Sequence, residues 1–147
     1  DPHDAVLFAR LFHQLKLSLN KQKEIFTLVN EIAVRDNISI EQVIEENRLP
    51  EILSCENLDR GQMVREIRCI LRQQRFPRLV AAERRFEIHR KKLKLGKDIK
   101  LTPPKEFEGK YFTLTLTFRN LAHLKALQTK LKKIIKNPRI EKIFKIK

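Results

Sequence analysis

The chain has 147 residues, 41% of them hydrophobic, and 32 Lys and Arg against 18 Asp and Glu give it a net charge of +14. That is enough apolar material for one ordinary domain or two small ones, but no run reaches the roughly 18 uncharged apolar residues of a membrane span, and DPHDAVLF has neither the basic start nor the cleavage site of a secretory leader. Two cysteines, Cys55 and Cys69, and four dispersed histidines show no metal-ligand spacing, so no metal, disulfide or cofactor is expected, and a cytoplasmic location is. The start at Asp1 rather than Met reads as a piece of something longer.

Residues 4–17 put Leu7, Leu11 and Leu15 beside Phe8 and Phe12 and predict a helix. A second is expected over 18–36, with Ser18 or Asn20 as N-cap and Ile25, Leu28, Val29 and Ile32 at helical spacing. NISIEQVIEEN, residues 37–47, predicts a short third helix capped by Ser39, and residues 49–53 one further turn. The pair around Ser39 has helix-turn-helix spacing, yet EQVIEEN would meet phosphates with like charge, so packing rather than groove reading is expected.

From Asp59 to about Arg75 a long helix is predicted. At about 100° per residue, Arg65, Arg68, Arg72 and Arg75 fall within an arc of about 80°, next to Met63, Ile67, Ile70 and Leu71. Phe76-Pro77 breaks it, and Pro77 suits the first turn of a new helix. There Leu79, Ala82, Phe86 and Leu93 form a packing stripe, with Arg78, Arg85 and Lys92 repeating every seven residues alongside. Glu66, Glu83 and Glu87 are too few to neutralise a run that also holds Arg84, Arg90, Lys91, Lys94 and Lys97, which implies an external anion.

Gly96 suits a left-handed helix cap. DIKL, residues 98–101, predicts a strand, TPPKEFEGK a loop, and YFTLTLTF, residues 111–118, a half-buried strand with Phe112, Leu114, Leu116 and Phe118 on one face. Asn120 caps the amphipathic helix LAHLKALQTKLKKIIK, Asn137-Pro138 stops it, and the alternation of RIEKIFKIK predicts a last strand. The fold class is α+β: helices first, then a small antiparallel sheet packed on helices. Three regions are expected: an acidic helical one over 1–57, a basic helical pair over 58–95 and a small α+β module over 96–147. Residues 1–57 carry 6 Lys/Arg against 10 Asp/Glu, and 58–147 carry 26 against 8. A net +18 in the second stretch points to a polyanionic partner, nucleic acid before an acidic membrane surface.

The succession of a basic helix, LGKDIKL, a loop, EGKYFTLTLTF and the leucine-rich NLAHLKALQTKL, over about residues 83–135, resembles the C-terminal dimerisation and DNA-binding module of the ParB family of chromosome-partition proteins. The resemblance implies a homodimer that contacts DNA without reading sequence, through Lys97, Lys100 and Lys110 with Arg85, Lys91 and Lys92 nearby. The long connection containing Pro103-Pro104 departs from the family's tight hairpin, and its nucleotide-binding box is absent, so no nucleotide hydrolysis is implied. With Arg65, Arg68, Arg72, Arg75 and Arg78 from the helical faces, these residues make the candidate nucleic-acid site. No phosphate-loop, dinucleotide or nucleophile-elbow motif is present, so a binder rather than an enzyme is expected. Two alternatives remain: a protein-interaction or regulatory dimerisation domain, and an RNA-binding one. For single-stranded RNA, Tyr111 and Phe112 offer a stacking platform, but Trp and an aromatic-rich ribonucleoprotein strand are lacking.

Overall fold

The computed structural model describes residues 2–146. Among them are α1 (Pro2–Leu15), α2 (Leu19–Asp36), α3 (Ile40–Glu46), α4 (Leu49–Leu53), α5 (Arg60–Arg75), α6 (Pro77–Lys92), β1 (Ile99–Thr102), a 3-10 turn (Lys105–Phe107), β2 (Thr113–Leu116), α7 (Leu121–Ile135) and α8 (Pro138–Phe144). The fold is α+β, with a helical N-terminal part. It divides into two compact units, Asp1–Pro77 and Arg78–Lys147. The expected basic helical pair over 58–95 is therefore split: α5 belongs with the helices before it, α6 with the sheet after it.

In the first unit the apolar stripes of α1, α2 and α5 converge on one core that includes Phe8, Leu11, Leu15, Ile25, Val29, Ile32, Val43, Leu49, Val64, Ile67 and Leu71. Local chemistry sets the helix starts. Ser39 Oγ accepts from Gln42 N at 3.1 Å while Gln42 Oε1 accepts from Ser39 N at 2.8 Å, and Asp59 and Gln62 repeat this reciprocal cap on α5. Asn37, in the left-handed region at φ 55°, ends α2 and allows the tight turn into α3. The helix-turn-helix spacing thus resolves into packing: Val43 is fully buried while Glu41, Glu45 and Glu46 face outward.

The second unit packs α6, α7 and α8 with a two-stranded antiparallel sheet in which Ile99 pairs with Leu116, Lys100 with Thr115, Leu101 with Leu114 and Thr102 with Thr113. Side chains alternate, so Ile99, Leu101, Leu114 and Leu116 share one face and Lys100, Thr102, Thr113 and Thr115 the other. The core joins Ala82, Phe86, Leu93, Leu95, Ile99, Leu101, Leu127, Ile134, Ile143 and Ile146.

Two sequence expectations are corrected here. The strand over 111–118 shrinks to four residues, because Pro103 has no N–H and Thr102 ends β1, leaving β2 without a ladder partner before Thr113. RIEKIFKIK forms helix α8 rather than a strand. Asn137 Oδ1 accepts from Arg139 N at 3.0 Å, Pro138 occupies the first turn, and Ile140, Ile143 and Ile146 recur every three residues toward the core.

Candidate nucleic-acid interface

The predicted cations fall on both units. Arg65, Arg68, Arg72 and Arg75 lie on α5 in the first; Arg78, Arg85, Lys91, Lys92, Lys97, Lys100 and Lys110 lie in the second. The two groups have different surroundings.

On α5, Arg65 is exposed and Arg72 half-buried. Arg68 Nη2 is 2.9 Å from Glu24 Oε1 and its Nε donates to the same oxygen at 3.0 Å. Arg75 Nε donates to Glu31 Oε2 at 2.7 Å, and its guanidinium lies 4.5 Å from the Phe76 ring centroid. Both pairs span 44 residues of sequence, and both step by seven along each helix, so α2 and α5 run side by side in the same direction. Arg35 Nη1 adds donations to Gln74 O at 2.7 Å and Arg75 O at 3.3 Å, closing the C-terminus of α5, while its Nε and Nη2 hold Asp36 at 2.7 Å. That fork keeps the Asp36 carboxyl below its ordinary range and raises Arg35. Arg68 and Arg75 are thus paired by carboxylates beyond Glu66, Glu83 and Glu87, from a helix far away in the sequence. This unit holds 11 Lys/Arg and 12 Asp/Glu, a net of −1.

The second unit holds 21 Lys/Arg and 6 Asp/Glu, a net of +15 in 70 residues. Arg78, Arg85, Lys91, Lys92, Lys97, Lys100 and Lys110 are all exposed. Arg78 is in the first turn of α6, and Arg85 Nε makes a long 3.4 Å contact to Ala81 O of its own helix. Arg90 Nη2 is 2.7 Å from Glu87 Oε1, with Lys91 Nζ 3.9 Å from that oxygen. The Arg90 hydrogen bond, helped by both cations, holds the Glu87 carboxyl below its ordinary value. Lys100 stands on the hydroxyl-bearing sheet face with Thr102, Thr113 and Thr115, where donors without carboxylates can meet phosphate oxygens. Lys97 borders a concavity of about 270 Å³ with Asp98, Thr117, Phe118, Arg119 and His123. His123 Nε2 is 3.8 Å from Asp98 Oδ2, and Asn120 Oδ1 caps His123 N at 2.8 Å.

Exposed cations continue along the chain beyond the predicted set. Arg119, Lys125, Lys132, Lys133, Lys136, Lys142 and Lys145 are exposed on or beside α7 and α8. Residues 119–145 contain a single carboxylate, Glu141, a signal the sequence already carried.

A groove of about 400 Å³ runs along α7, lined by Leu116, Leu121, Leu124, Leu131 and the stems of Lys125 and Gln128. Leu121 in its lining is 66% exposed, and on the apolar face predicted for the strand Leu114 is 38% and Phe118 51% exposed, so that face is only partly covered. Among the described residues no three His, Cys, Asp or Glu side chains gather as a metal cage, and no helix is long and apolar enough to cross a membrane. Comparison with protein-family models, curated proteins and solved structures finds no match.

Proposed function

We propose that the second unit is a duplex-DNA-binding, self-pairing module that contacts phosphates without reading bases, in the manner of the ParB-like module it resembles. One observation carries the reading: 21 cations against 6 carboxylates in 70 residues, beside a first unit of similar size whose charges balance. Self-repulsion of that size opposes the compact state, so its retention favours a polyanionic ligand. The cations occupy helix faces, turns and a sheet face, and they are mostly lysine, a point charge suited to phosphate rather than to paired recognition of a base edge.

Self-pairing rests on the groove beside β2. That strand pairs with β1 on one side only, and among the described residues its other edge is free, next to Leu121, Leu124 and Leu131. A second copy related by a two-fold axis would extend the sheet through that edge and bring two grooves together. The dimer joins two units of the same charge, so salt favours it, whereas salt disfavours DNA binding through counterion release.

The opposite salt responses supply the test. Binding of the full chain to a random duplex should weaken steeply between about 50 and 200 mM salt, while sedimentation should show the dimer holding or tightening over the same range. Duplex binding that is absent at low salt or flat with salt refutes the phosphate reading. A monomer at about 100 μM refutes the pairing.

A further inference from the structure

The connection between the strands is built around aromatic rings, and duplex binding makes no use of them. Glu106 at φ 53° and Phe107 at φ 59° are successive non-glycine residues in the left-handed region, a conformation side chains seldom adopt. The turn they make lets both ends of the segment anchor on the buried Phe86. Phe107 meets that ring edge-on at 5.8 Å and 67°, and Phe112 lies over it at 6.5 Å and 29°. Phe144 of α8 adds a ring 5.0 Å from Phe112. Gly109 packs so closely that a Cβ there would lie 2.7 Å from Pro104 Cβ, which fixes the loop tip against the proline.

This leaves an open cavity of about 660 Å³ whose lining includes Phe107, Phe112, Phe144, Glu108, Lys110 and Ile146, within the size range of about 300–1,000 Å³ usual for ligand pockets. Phe144 is 52% exposed and Tyr111, next to the lining residues in the chain, 83%. Lys110 is the cation of the lining, and Lys105 and Lys145, each next in the chain to a lining residue, are exposed. Aromatic faces with exposed lysines close by in the chain suit single-strand binding, in which bases stack and phosphates meet lysines.

We propose that this loop binds unpaired bases of a single-stranded nucleic acid, one entering the cavity against Phe112 and Phe144 and its neighbour stacking on Tyr111, with the phosphates on Lys105, Lys110 and Lys145. Glu108 offers acceptor oxygens only, so the cavity favours a base with an exocyclic amino group, cytosine, adenine or guanine, over thymine. The site uses the charge of the second unit but not its fit to a duplex.

The test measures binding of the full chain to labelled oligo(dC), oligo(dT) and a random duplex. Oligo(dC) should bind more tightly than oligo(dT). Tyr111→Ala, at a position too exposed to threaten folding, should weaken both single strands by roughly five- to a hundredfold, the range for one lost stacking contact, and leave the duplex unchanged within twofold. Tyr111→Phe should restore the affinity, and Glu108→Gln should remove the oligo(dC) preference. Single-strand affinity untouched by Tyr111→Ala and Phe144→Ala overturns the proposal. So does an equal loss on duplex, or a loss accompanied by dimer dissociation, which would make the patch a subunit contact. Failure of the wild-type chain to bind duplex refutes the preceding proposal and leaves the oligonucleotide comparison intact.

Discussion

Glu24 and Glu31 precede the arginines they meet by 44 residues, and nothing within a helical turn of Arg68 or Arg75 announces them. These are half-exposed pairs, worth about 0.2–1 kcal/mol each. Replacing Arg68 and Arg75 together by Ala should therefore lower the urea midpoint by an amount equivalent to about 0.5–2 kcal/mol and leave duplex affinity within twofold. Replacing Lys97, Lys100 and Lys110 should do the reverse, reducing the salt slope by about 2–3 with no change in midpoint. Glu87 tests the same logic by pH. Its carboxyl is held low by Arg90 and Lys91, so its contribution to stability is present above the ordinary carboxylate range and is lost as pH falls through the lowered value. Glu87→Gln removes that small contribution, since the side chain is 41% exposed. It also frees one more cation on α6, so duplex binding should tighten and its salt slope steepen by about one.

Among the elements, those with a strong cap and a long apolar stripe were readable from sequence. α5 begins at Asp59 and α7 at Asn120 because those side chains take the first free N–H groups, and both caps are plain in the sequence. The last short element was not readable, because a few apolar residues fit two periods, whereas the short helices α3 and α4 and the strand β1 were expected where they form. In RIEKIFKIK a strand would turn Ile140, Phe144 and Ile146 to one side and Ile143 to the other, whereas a helix gathers Ile140, Ile143 and Ile146. The helix won because the core offers a seat that leaves Ile143 with no exposure while Phe144 remains 52% exposed. Ile143→Ala should consequently cost about 2–5 kcal/mol in denaturant unfolding, and Phe144→Ala no more than about 1 kcal/mol. A strand would reverse that order.

For the molecule as a whole, the charge polarity was legible and its boundary was not. Composition changes near Leu58, where the arginines begin, but the structural division falls at Pro77, because α5 carries its arginines back to the glutamates of α2 and completes a neutral unit. The candidate site was legible where cations follow one another along the chain, from Arg78 to Lys110. It was illegible where function would depend on rings brought together across distance: Phe86, Phe107, Phe112 and Phe144 are spread over 59 positions and meet only when the loop folds back. The same-direction pairing of α2 and α5 also bears on how the first unit assembles. Two adjacent helices can fold as a hairpin through a short turn, but here α3 and α4 must first return the chain, and the contacts that reward closure lie 44 residues apart. The α2–α5 seam should therefore form late in folding, so that weakening it quickens unfolding and leaves the refolding rate nearly unchanged, as denaturant-jump kinetics would show.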